Sequence, residues 1–478
     1  MKQLKLPEEI VEDAPASRSL EKARMLTPSQ VVAELDRFVI GQQKAKMAVA
    51  IALRNRWRRQ QVRGKLKDEI YPNNIILIGP TGVGKTEIAR RLARLTQAPF
   101  VKVEASRFTE VGYVGRDVDS MVRDLMETAV GLVKAEKNRV IETKAAAAAR
   151  ERILDLLRPK SDVPSAPGGD TIPNRSGSGH VPGGAPPTRL ELARQFDAGE
   201  MDDWMVEVEI NRPMLPFFEI SSQAGAPEEM MMELQDLMSQ AMPKRMKKRR
   251  LTIKAAYRML IQEEAQKLID MDEVVAEAKV RTENSGIIFL DEIDKIVGSN
   301  STTGPDVSRE GVQRDLLPVV EGSNVMTKHG MINTDHILFV AAGAFHNAKP
   351  SDLIPEMQGR FPIRVELDSL SRDDLKRILI EPENSLARQY TALMAAEGVK
   401  LEFTPDAIDE IARVAADVND QTENIGARRL HTVMNALLED YLFRLPSREL
   451  KHIEINGAYV AEKLKGIVEN KDLTRYIL

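Results

Sequence analysis

The chain reads as an α/β protein: a parallel sheet flanked by helices, opened by a mostly helical insertion and followed by a small, mostly α-helical domain. Three observations predict this. The buried-strand run Ile75-Ile76-Leu77-Ile78 leads directly into Gly79-Pro80-Thr81-Gly82-Val83-Gly84-Lys85-Thr86, a G-x-x-x-x-G-K-S/T loop, and then into helical spacing from Glu87 to Leu92. A second apolar run, Ile287-Ile288-Phe289-Leu290, ends in the carboxylates of Asp291 and Glu292. Lys85 and Asp291 stand 206 positions apart. One or two βα units of roughly 30 residues each do not fill that span, so an insertion divides the domain.

The first loop is a phosphate grip. Its glycines let backbone N–H groups close around phosphate oxygens, Lys85 reaches the β- and γ-phosphates, and the Thr86 hydroxyl can ligate Mg²⁺. The following helix turns the positive end of its dipole to the same anion. The expected ligand is a nucleoside triphosphate.

Residues 1–24 are acidic, lack the character of a signal or transit peptide, and are expected to form a disordered extension. The nucleotide domain's first part, 25–130, starts with Thr27 capping a helix, Pro28 at its first position and Val31, Val32, Leu35 and Phe38 on one stripe. Phe38-Val39-Ile40-Gly41-Gln42 ends that element and leads into a helix through Trp57. Asn73-Asn74 is turn-like, and Val101-Lys102-Val103-Glu104 alternates as a second strand.

The insertion covers 131–283. It predicts an Ala-rich helix over 131–157, a loop rich in Pro, Gly and Ser over 158–188, a strand across Asp203–Ile210, and helical patterning over 227–283. Met230-Met231-Met232 and Met238 suit an adaptable binding face or helix-core packing equally. The basic run Lys244–Arg250 is expected on a solvated helix face rather than on nucleic acid. The nucleotide domain resumes over 284–365 with buried strands at Ile337-Leu338-Phe339-Val340 and Ile363–Leu367. Residues 366–478 form the small domain, where Thr404-Pro405 opens a helix striped by Ile411, Val414 and Ala415.

Composition narrows the function. Formal net charge is −4, which supplies no overall field to draw in nucleic acid. Cysteine is absent, so disulfides, Cys-based zinc sites and a catalytic thiol are excluded, and a reducing, cytoplasmic setting is expected. The six histidines show no metal-ligand spacing, and no apolar run is long enough to span a bilayer.

Asp291 and Glu292 suit a division of labour in hydrolysis. An aspartate at the end of a buried strand can hold Mg²⁺ opposite Thr86. The adjacent Glu292 can polarise a water as general base. Arg360 and Arg428 are candidates to bring positive charge to the transferring phosphoryl group. Spacing alone reads each equally well as a surface arginine.

In that order, Gly79–Thr86, Asp291-Glu292, Gly359-Arg360 and Gly426-Ala427-Arg428 resemble the AAA+ ATPases of the Clp/Hsp100 class. The match continues through Leu26–Gly41, Gly112-Tyr113-Val114-Gly115, the insertion before Ile287, Ala348–Glu356 and the terminal Tyr476-Ile477-Leu478. It narrows to the branch that serves a separate HslV peptidase. The resemblance implies an AAA+ domain acting on ATP with Mg²⁺, arranged as a homo-hexamer that unfolds protein substrates and passes them to HslV. It implies Ile40 against the adenine, Gly82, Val83, Gly84, Lys85, Thr86 and Glu87 around the phosphates, and Glu356 near the nucleotide. Arg360 would act in a neighbouring subunit as an arginine finger, and Arg428 in its own. Gly112, Tyr113, Val114 and Gly115 would form the pore loop that grips substrate, an aromatic giving sequence-tolerant hold and the glycines letting the loop swing. Ile477 and Leu478 would dock on the peptidase.

The acidic extension and the 158–188 loop exceed the family pattern, and the end of strand 337–341 shows no polar residue for a γ-phosphate sensor. A ClpX-type unfoldase is disfavoured by the missing cysteines and the insertion. An AAA+ nucleic-acid motor is disfavoured by the charge balance.

Overall fold

The computed structural model describes residues 26–67, 69–108, 117–157, 188–211, 246–297, 309–346, 348–446 and 450–469. The extension 1–24, the tetrapeptide Gly112–Gly115, almost all of the 158–188 loop, the cluster Met230-Met231-Met232 with Met238, and Ile477 and Leu478 lie outside the described residues.

In chain order the elements are α1 (Pro28–Asp36), α2 (Gln43–Gln61), β1 (Ile75–Ile78), α3 (Lys85–Thr96), β2 (Phe100–Glu104) and α4 (Ser120–Leu157). Then come α5 (Arg189–Asp197), β3 (Met205–Asn211), β4 (Met246–Thr252), α6 (Ile253–Leu268) and α7 (Met271–Ser285). They are followed by β5 (Ile287–Asp291), α8 (Arg309–Glu321), β6 (Asn324–Thr327), β7 (Gly330–Asn333), β8 (Leu338–Gly343), α9 (Pro355–Arg360) and β9 (Ile363–Glu366). The last are α10 (Arg372–Ile380), α11 (Leu386–Ala396), β10 (Lys400–Phe403), α12 (Pro405–Gln421), α13 (Arg428–Arg444), β11 (His452–Ile455) and α14 (Gly457–Glu469).

Residues 134–271 make one compact unit; the described residues on either side of them make another. The second unit is built on a five-stranded sheet in the order β2-β5-β8-β1-β9, parallel throughout. Its inner strands are apolar on both faces because helices cover both, which is why they read as continuous hydrophobic runs. Ile75, Ile76, Leu77, all of 287–290 and all of 338–342 are fully buried. Each buried Ile, Leu, Val or Phe among them contributes about 1.5–3 kcal/mol. Thr27 caps α1 in a reciprocal box with Gln30, as the Thr-Pro signal predicts.

Asn74 corrects the turn reading. It is 3% exposed; its Oδ1 accepts from the Phe339 N–H at 3.0 Å, and its Nδ2 donates to the Arg360 carbonyl at 3.1 Å. One amide thus joins the entrances to three adjacent strands.

Residues 366–469 pack their helices around Leu379, Ile411, Val418, Leu430, Val433 and Leu437. Thr404 stands at the N-cap of α12 with Pro405 behind it, yet its hydroxyl donates to the Ile455 carbonyl at 3.1 Å instead of capping. The parallel pair β10–β11 was not anticipated from sequence. Both strands alternate over only four residues, too short to separate from neighbouring helical pattern.

The 134–271 unit has its own core of Ile153, Leu154, Leu192, Val208, Ile253 and Leu260. The β3 strand follows the Met205–Ile210 alternation. The sequence predicts helix through Lys244–Arg250, but residues 246–252 form β4, antiparallel to β3. Arg250 pairs with Glu207 at 2.9 Å, and cross-strand charge matching outweighs the helix preference of lysine and arginine.

Candidate nucleotide site

The phosphate loop fills the turn from β1 to α3, at the C-terminal edge of the sheet where ligands of open α/β folds collect. Gly82 and Gly84 adopt φ of +76° and +104°, which a side chain rarely takes. Gly84 stands at the N-cap of α3 and turns the chain so that the helix starts behind the loop. The Gly79 N–H donates to the Gly343 carbonyl at 3.2 Å, tying the loop's start to the end of β8.

Lys85 is 9% exposed and donates to the Gly79 and Pro80 carbonyls at 2.5 and 2.7 Å. Burial pushes its pKa below the ordinary 10.5; Asp291 and Asp294 oppose the fall, and the charge of Arg428 adds to it. The next residue, Thr86, donates its hydroxyl to Asp291 Oδ2 at 3.4 Å. Asp291 also accepts the Glu292 N–H at 3.1 Å and pairs with Lys102 Nζ at 2.7 Å. This corner fits a nucleoside triphosphate with a divalent cation. It offers an N-terminal helix turn, a buried ammonium, and hydroxyl and carboxylate oxygens of the type Mg²⁺ takes.

Glu292 is exposed, in the left-handed region at φ +58°, so the chain turns out of the sheet and the two neighbouring carboxylates diverge. Its carboxylate accepts from Ser106 Oγ at 3.4 Å. Glu87 turns its carboxylate to Arg91 at 2.6 Å and Arg90 at 3.2 Å.

Val39 and Ile40 are buried beside the loop, and a Cβ on Gly84 would meet Val39 Cγ1 at 3.3 Å. The wholly buried Lys46 holds that segment by donating to the Val39 carbonyl and to Asp36. Gln42 clasps the backbone of Asp368, giving 2.8 Å to its carbonyl and accepting its N–H at 3.1 Å.

Arg428 begins α13, and the turn before it lies on the phosphate loop: the Ala427 N–H donates to the Gly82 carbonyl at 3.2 Å. Arg360 is placed elsewhere, ending α9 at the N-terminal edge of the sheet and pairing with Glu321 at 3.2 Å. Glu356 is exposed on the same short helix. Among the described residues, no contact joins Arg360 or Glu356 to the phosphate loop of the same chain.

Sequence reading missed Lys102, Lys46 and Asp294. Asp294 receives the N–H groups of Ala344 and Phe345, both at 3.3 Å, and so shapes the end of β8, where no polar sensor stands. The spacing Asp291-Glu292-x-Asp294 was the available signal.

Comparison with known proteins agrees with this geometry. The family described as ATPase family associated with various cellular activities matches residues 75–144, and the AAA domain (Cdc48 subfamily) matches 213–364. The C-terminal, D2-small domain, of ClpB protein matches 370–455. The chain is 56% identical to the ATP-dependent protease ATPase subunit HslU of Syntrophomonas wolfei, over 95% of this chain and 99% of that one. It is 56% identical to the subunit of the same name from Geobacillus kaustophilus, covering 95% and 100%, and 53% to that of Halalkalibacterium halodurans, covering 95% and 99%.

Proposed function

We propose how this chain works from one premise: it belongs to the HslU family, the ATPase subunits of an ATP-dependent protease. It is an AAA ATPase and the regulatory subunit of a protease. In our reading it unfolds protein substrates, threads them along an axial channel of a homo-hexamer, and delivers them to HslV while activating that peptidase. It does so in the cytoplasm; no described helix is long and apolar enough to cross a membrane.

The observation that carries this reading is the contact between the small domain and the phosphate loop. The turn 425–427 rests on Gly82, so a change at the phosphates bears directly on the small domain. Lys85 and the loop N–H groups would bind the β- and γ-phosphates. Thr86 and Asp291 would hold Mg²⁺, which supplies positive charge against the phosphoryl oxygens. Glu292, turned out of the sheet, would take the proton of the attacking water. Ile40 would face the adenine, with Glu356 near the nucleotide.

Arg428 would stabilise charge on the nucleotide of its own chain, and Arg360 on that of a neighbour. The domain motion that follows hydrolysis would carry Tyr113, between Gly112 and the Val114-Gly115 pair, along the channel. Ile477 and Leu478 would dock as an apolar anchor in a cleft of HslV.

Mixing the protein with HslV, ATP and an unfolded protein tests the reading. ATP-dependent stimulation of peptidase activity is expected. ATP turnover stimulated by DNA, with HslV unaffected, would overturn it.

A further inference from the structure

We propose that Asn419 is a positioning residue for ATP hydrolysis: it holds the turn Ile425-Gly426-Ala427 on the phosphate loop and so sets Arg428. The inference rests on reading residues 79–86 as the nucleotide grip.

Asn419 lies in the last turns of α12, 6% exposed. Its Nδ2 donates to the Gly426 carbonyl at 3.1 Å, and its Oδ1 accepts from the Ile425 N–H at 3.3 Å and Arg429 Nε at 3.2 Å. One side-chain amide therefore grips the turn from both sides. Only a group that donates and accepts can do so: aspartate keeps the acceptor alone, and alanine neither. Arg429, 5% exposed, braces the same turn by donating to Thr422 Oγ1 and the Glu423 carbonyl, each at 2.9 Å.

The turn they hold meets the phosphate loop backbone to backbone. Gly426 sits at φ +59°, and a Cβ there would lie 2.6 Å from the Thr81 carbonyl oxygen and 2.8 Å from the Gly82 carbonyl carbon. A Cβ on Gly82 would lie 2.0 Å from the Ile425 carbonyl oxygen. With no side chain between them and the Ala427 N–H bonded to Gly82, a shift of either segment moves the other. Arg428 follows directly at the start of α13. Asn419 touches neither nucleotide nor reacting atoms; it acts through the turn.

The test compares full-length wild type with Asn419→Ala, Asn419→Asp and Lys85→Ala, reading KM and kcat for ATP and hydrogen exchange with ATP present. Asn419→Ala should raise KM roughly tenfold, more than it lowers kcat, as expected for losing buried hydrogen bonds that organise binding. Exchange at residues 81–84 should quicken while Ile411 and Val433 stay protected, and Asn419→Asp should recover part of the KM. Should Asn419→Ala fail to fold, a raised KM in Asn419→Asp supports the proposal and an unchanged one overturns it. Unchanged KM in a folded Asn419→Ala, or a loss of protection spread equally over the small-domain core, also overturns it. Lys85→Ala separates the premises: if it binds ATP normally, the nucleotide reading falls and the proposal with it. If it loses ATP while Asn419→Ala behaves as wild type, only the positioning role falls.

Discussion

Asn74 donates its side-chain amide to the Arg360 carbonyl at 3.1 Å and holds Arg360 at the edge of the sheet opposite Lys85. The four residues of β1 lie between those edges, and at about 3.3 Å per residue they separate them by roughly 13 Å. Ile75, Ile76 and Leu77 of β1 are fully buried, and Arg360 pairs with Glu321 on its own side of the sheet, away from the phosphate loop of its own chain. We propose that Arg360 acts on a neighbouring subunit.

Mixed rings test that directly. Arg360→Ala and Lys85→Ala should each abolish turnover in pure form. When the two are mixed, a Lys85→Ala subunit still offers Arg360 to a neighbour whose Lys85 is intact, so part of the ATPase activity should return. No recovery in rings shown to be mixed would contradict action in trans.

Lys85 also predicts a pH dependence. Burial holds its pKa below 10.5 in the free protein, whereas phosphate charge beside it would raise that pKa. Binding then takes up a proton wherever free Lys85 is deprotonated, so ATP affinity should fall as pH rises through the depressed value. Lys85→Arg, which stays charged throughout, should flatten the curve. Titration with a fluorescent ATP analogue from neutral to alkaline pH reads this; an unaltered slope in Lys85→Arg would assign the effect to another group.

Glu292→Gln removes the proposed base but keeps its shape. It should bind ATP with near wild-type affinity and hydrolyse it more slowly by roughly 10²–10⁴. Undiminished turnover would remove Glu292 from that role.

Much of this site was legible in the sequence because its parts are local. Gly79–Thr86 and Ile287–Glu292 each carry strand, turn and chemistry in one short run, and each folds as its pattern predicts. What stayed hidden depends on distant partners. Asn74 looks like a turn residue until Phe339 and Arg360 arrive, 265 and 286 positions away. Lys102 reads as one polar step of an alternating strand, and only the pairing of β2 with β5 brings it to Asp291. The β4 strand was misread because its basic residues favour helix in isolation and are matched only by the facing β3.

Removing Ile477 and Leu478 should uncouple HslV while leaving ATP hydrolysis largely intact. Peptidase stimulation against ring concentration measures it, and full stimulation by the shortened chain would contradict the docking role.

The most direct measurement follows ATP consumption and loss of a folded fluorescent substrate together, with HslV present, for wild type and Tyr113→Ala. We expect both to hydrolyse ATP and only wild type to destroy the substrate. Destruction of the folded substrate by Tyr113→Ala at the wild-type rate would contradict the account.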